Sequence, residues 1–142
     1  MQTQLRTGKG QSLVEVALVL PILVVLFLGI AELGFFLFTH VQVANATRSG
    51  ARDGSLCKMN NTCANLTTVV ESAVYAETQA LDMNGGNTGV DVQWAGSVPP
   101  MAGTPITVTV TYTHTPPFVS NFVPMFPADL PIQHRVVMRF DK

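Results

Sequence analysis

The chain has little charge, and what it has is kept out of one long stretch. Only 12 % of its 142 residues are Asp, Glu, Lys or Arg, 8 basic against 9 acidic, for a net charge of -1. That balance leaves no basic footprint for nucleic acid. Cysteine is scarce: Cys57 and Cys63 are the only two. Two thiols with no histidine close by fall short of the four ligands of a structural zinc site. Histidine is scarce as well, and His40, His114 and His134 are scattered singles. Gly8-Lys9-Gly10 lacks the spacing of a phosphate loop. Glu71, Glu77 and Asp82 fall on one helical stretch, whose polar face accounts for them. No internal repeat is visible. These absences leave no catalytic constellation, no metal site and no cofactor motif, so the chain reads as a non-enzyme.

What is present is hydrophobic length. An apolar run from Val16 to Ala31 is followed by Glu32 and a second apolar patch, Phe35-Phe36-Leu37-Phe38. As a helix, the stretch from Val16 to Phe38, about 23 residues rising 1.5 Å each, spans the hydrocarbon core of a bilayer. It is apolar on every face, so lipid or other copies of the same helix must surround it. Arg6 and Lys9 precede it with no acid among the first ten residues. That bias keeps the N-terminus in the cytoplasm and exports the rest. The run is longer than the core of a secretory signal, and no A-x-A-like site clearly follows, so a retained helix is expected.

Residues 11 to about 53 read as one long helix. Pro21 lies inside it and predicts a kink or a short unwound stretch. Gly29 and Gly34 either loosen the helix or allow close approach by neighbours. From His40 the helix turns amphipathic, with Val41, Ala44, Arg48 and Ala51 at helical spacing and Val43, Ala46 and Gly50 likewise. The small residues among them would let a sheet or helix press close. Arg48 and Arg52 suit the negative end of the helix dipole, and Gly54 is a natural cap. Past the helix the chain is exported, where a disulfide persists. A Cys57–Cys63 bond is expected there, the alternative being two free thiols.

A second helix is expected with a capping box at Thr68-Val69-Val70-Glu71. Its apolar stripe is Leu66, Val70, Val74 and Leu81, helped by Ala73, and Asn84-Gly85-Gly86-Asn87 ends it. The remainder alternates with period two: Val90, Val92, Trp94; then Ile106, Val108, Val110, Tyr112 between threonines; then Ile132, His134, Val136, Met138, Phe140. The fold class is therefore α+β, a long N-terminal helix followed by a small domain with a short helix and an antiparallel sheet of three or four strands. Pro116 to Pro131 holds five prolines, with Phe118, Phe122, Val123, Met125 and Phe126 among them. Proline bars regular structure there. The segment is either a loop folded over a small core or an apolar patch for another subunit. Asn45, Asn60 and Asn65 begin glycosylation sequons, a pattern that also arises by chance in an Asn/Thr-rich chain.

Gly10-Gln11-Ser12-Leu13-Val14-Glu15 resembles the processing site of type IV pilins, where a basic leader ends in Gly and Glu is the fifth residue after the cut. Val14 to Leu23, with Pro21, resembles the TadE-like branch associated with tight-adherence pili. So do Gly29-Ile30-Ala31-Glu32-Leu33-Gly34 and the run Ala44 to Arg52. The resemblance covers about residues 10 to 54. It implies a leader of residues 1–10, cut between Gly10 and Gln11 by a prepilin peptidase. It implies a helix over 11–54 and an exported domain over 55–142. It further implies a membrane assembly platform that draws the subunit from the cytoplasmic membrane into a surface filament of its own or other pilins, with Glu15 as the assembly residue. Many type IV pilins have Phe or Met after the cut, where this chain has Gln11. TadE-like proteins are usually minor subunits, although an exported domain of this kind equally serves as a filament's repeating unit. The alternative is a single-pass anchor carrying an exported binding module that never assembles.

Overall fold

The computed structural model describes residues 8–57, 65–81, 87–94, 102–116 and 129–140. One helix, α1, runs from Gly8 to Ser55. Its 48 residues extend about 70 Å at 1.5 Å each. It continues through Pro21 without the unwound stretch that the sequence suggests. The ring removes a donor to the Ala17 carbonyl, yet Pro21 is exposed and meets no packed neighbour that would force the chain open.

A second helix, α2, spans Leu66–Glu77 and is followed by a 3-10 turn at Gln79–Leu81. It starts two residues before Thr68, so the capping box does not form; Asn65 holds the cap position without a side-chain hydrogen bond. Leu66, Val70 and Val74 are its buried stripe, as expected, while Leu81 packs from the following turn.

Three strands follow: β1 (Thr88–Trp94), β2 (Pro105–His114) and β3 (Leu130–Arg139). They form one antiparallel sheet in the order β1-β2-β3. The register sets Val92, Val108 and Val136 in one row and Val90, Val110 and His134 in the next. Period two then places the intervening Asp91, Thr109 and Arg135 in a row on the opposite face. Pro131 lies within β3, contrary to the expectation that proline excludes strand there. The strand is at the sheet edge, where a missing N–H costs no ladder bond. Phe140, just past β3, is tied to the β2 side by Gly103 N–H donating to its carbonyl and its own N–H donating to Thr104. Gly103 takes φ 84 to make that turn, a conformation glycine adopts freely.

Both helices lie on one sheet face, and one core joins them. Val43, Ala46 and Ala51 of α1 meet Leu66, Val70 and Val74 of α2 and Ile106, Val108, Val110, Ile132 and Phe140 of the sheet region. Of the two helical stripes in the sequence, the one with Val43, Ala46 and Gly50 faces inward. Val41 and Arg48 are exposed. Gly50 and Gly54 are buried where α1 touches α2. A Cβ at Gly50 would stand 2.7 Å from Val74 Cγ2, and one at Gly54 2.8 Å from Ile106 Cδ1 and Val70 Cγ2. Gly54 is thus a packing position inside the helix, not its cap. The buried hydroxyls of Thr39, Thr47 and Thr78 each donate to the carbonyl four residues earlier, so these polar groups enter the core satisfied.

Candidate functional site

The surface that stands out is the first half of α1. From Gly10 to Ala31 every residue except Leu28 is exposed, and Leu28 is half-buried. Leu13 and Ile22 are both 72 % exposed and Leu18 69 %. The helix is long and apolar enough to cross a membrane, and its most apolar window is not covered by the rest of the chain. From Glu32 the situation changes. Glu32, Phe36, Thr39, Val43, Ala46, Thr47, Gly50, Ala51 and Gly54 recur at spacings of three or four, buried or half-buried throughout. One helix thus has two halves, bare before Glu32 and gripped after it.

The residues singled out in the sequence fall mostly on the bare half. Gly10 and Gln11 are exposed and already helical, since α1 begins at Gly8. Glu15 is exposed, and its carboxylate makes no hydrogen bond or ion pair among the described residues. It borders a shallow apolar groove with Val16, Val19, Leu20 and Leu23, all on its own helix. Pro21 sits within the same stretch. At the other end of α1, Cys57 is half-buried, packs against the core and is disulfide-bonded. Cys63, residues 1–7 of the expected leader and residues 117–128 of the proline-rich segment lie outside the described residues. The ends of that segment are joined by Thr115 Oγ1 donating to Asp129 Oδ1 at 3.1 Å.

Two residues gained a place that sequence reasoning did not give them. Glu32, 7 % exposed, is the first residue of the gripped stripe, and its spacing to Phe36 and Thr39 is the signal that would have found it. His114, 6 % exposed, meets the Phe36 ring edge-on at 5.9 Å. Its parity with Ile106, Val108 and Val110 already put it on the inner face. His40 and His134 also meet edge-on, at 6.3 Å. Among the described residues no three His, Cys, Asp or Glu gather as a metal site.

Residues 10–52 match the model of the family described as TadE-like protein. The chain carries a TadE-like N-terminal region. The match begins at Gly10, takes in the whole bare half, and ends within the gripped half at Arg52. No curated protein and no solved structure matches the chain. The match covers less than half of the chain, and α2 and the sheet lie beyond its end.

Proposed function

We propose that this chain is a pilin-like structural subunit, not an enzyme, which assembles through its TadE-like helix into a Tad-type surface filament used for adhesion or motility. The observation that carries the reading is the uncovered apolar half of α1 beside a domain that grips only the other half. Such a helix needs a solvent other than water at every stage of its life. In the cytoplasmic membrane that solvent is lipid, with the N-terminus inside and the sheet domain outside. In the filament it is the same segment of neighbouring copies or of other pilins. Passing from lipid to a helical bundle gains little hydrophobic energy, since both are apolar, so packing and polar pairing must favour assembly.

Before assembly, a prepilin peptidase removes residues 1–10, cutting between Gly10 and Gln11. The new α-amino group of Gln11 is positively charged at neutral pH. It lies one helical turn from Glu15, on the same face. Glu15 pairs with this amine or that of an adjacent subunit, and a membrane platform drives extraction. Electron microscopy of sheared surface material, with mass spectrometry of its subunits, tests the reading. Filaments containing chains that begin at Gln11 are expected. Chains found only in the membrane, with residues 1–10 retained, would favour the single-pass anchor with an exported binding module.

A further inference from the structure

We propose that the chain holds one membrane lipid where α1 leaves the bilayer, with an acyl chain in the cavity between α1 and the adjoining ends of β2 and β3. The cavity measures about 420 Å³. Its walls are Gly29, Leu33 and Phe36 of α1, with Pro116 after β2 and Leu130 opening β3. Two polar side chains, Glu32 and His114, border it. Three observations select a lipid as its occupant.

The first is height. Glu15 and Glu32 bracket the apolar run, and the 17 steps between them rise about 26 Å, close to the ~30 Å of a hydrocarbon core. Glu32 and the cavity therefore stand at the far leaflet, where acyl chains give way to esters and headgroups. The second is access. Gly29 and Leu33 are themselves exposed and continue the bare helix surface through Ile30 and Leu26. A tail can enter sideways from the bilayer without crossing water. The third is polarity. His114 is more than nine-tenths buried, and its Nε2 has no hydrogen-bond partner among the described residues. Buried polar atoms are ordinarily satisfied. The ester carbonyl or glycerol hydroxyl of a lipid lies at the right level to satisfy it, while its chain fills the apolar part.

The proposal rests on the membrane stage of the function above and not on filament assembly, so the two fail separately. The test uses the full chain in phosphatidylglycerol vesicles doped with a phosphatidylcholine bearing a diazirine on its acyl chain. After irradiation, peptide mapping should place label on Leu33 to Phe36 and on the segment around Leu130. A Cβ at Gly29 meets nothing within 4 Å, so Gly29→Phe can fill the cavity without moving backbone. That variant should lower label at those two segments at least about five-fold while leaving label at Val24 to Leu26 unchanged. Leu130→Trp fills the cavity from the opposite wall and should do the same. His114→Phe keeps the bulk and removes the nitrogens, and should lower the fraction of chain carrying lipid in native mass spectrometry. Equal labelling of wild type and both filled variants would mean surface lipid only and overturn the site. Cross-links from those segments to a second protein chain in place of lipid would overturn it equally.

Discussion

At the scale of single residues, two glycines of one helix make opposite demands. Gly50 lies under Val70 and Val74, β-branched side chains on a packed helix that cannot swing aside. Gly50→Ala gains about 1 kcal/mol of helix propensity and meets an overpacking cost of about 1–3 kcal/mol. The net loss should appear as a melting temperature several degrees lower, read by circular dichroism of the detergent-solubilised chain. Gly29→Ala, in open space, meets no such cost and should not lower the same transition. An equal fall in both would mean that helix flexibility, and not the contact with α2, sets the need for glycine.

Glu15 belongs to the same scale. Its gross attraction to an α-amino group at about 4 Å is about 4 kcal/mol at an intermediate dielectric, and desolvation consumes much of that. In the proposed assembly such a pairing would therefore set register more than bulk stability. Glu15→Gln keeps the size and removes the charge. Export and cleavage should be normal, with incorporation into filaments reduced about ten-fold, the equivalent of 1.4 kcal/mol. Quantitative blotting of sheared against membrane fractions decides it, and wild-type incorporation by the variant would return the weight to a simple anchor.

At the scale of elements, the clearest parts were those with an unmistakable period. The alternation of β2 and β3 is enough to place Ile106, Val108, Val110 and Ile132 on one face, and that face is buried. The length of α1 was legible for the same reason, whereas its sequence offers two stripes and packing selects the one at Val43, Ala46 and Gly50. The misreadings share a cause: local signals gave way to tertiary packing. Thr68 and Glu71 look like a helix start, but burying Leu66 against α1 and the sheet moves the cap back from Thr68 to Asn65. Gly54 looks like a terminator, but its missing side chain is needed by Ile106 and Val70. Pro131 looks like a strand breaker, but only an interior strand would have excluded it. Spacing and parity could have put Glu32 and His114 on inner faces, but a cavity between three elements has no one-dimensional trace, so their meeting there stayed hidden.

Two element-level outcomes follow. The disulfide at Cys57 sits just past the end of α1, and Cys63 is the other cysteine of the chain. The bond between them would close a small loop and contribute about 2 kcal/mol by restricting the unfolded chain. Cys57→Ser should lower the urea midpoint of the sheet domain without altering membrane insertion; an unchanged midpoint would show that the core alone fixes that turn. Pro21→Ala restores a donor for the Ala17 carbonyl. Insertion should be unaffected, with greater amide-exchange protection at residues 17–21 and altered packing of the helix bundle. The same filament geometry with and without the ring would make Pro21 a tolerated passenger.

At the scale of the whole molecule, the division of α1 at Glu32 has a mechanical meaning. A pull on the bare half runs along the axis of the same helix that the domain grips. The gripped stretch from Glu32 to Ser55 is roughly 36 Å long, and α2, β2 and β3 all lie against it. An axial load therefore shears that whole contact at once instead of peeling it open row by row. Gly50 and Gly54 act as a notch in this direction, because sliding by one residue would drive the neighbouring side chains of α1 into Val70, Val74 and Ile106. The domain is held to its helix like a collar keyed to a shaft. Tension taken up by the sheet's outer face would pass into the helix, and from there into whatever surrounds its bare end, without unfolding the domain between them.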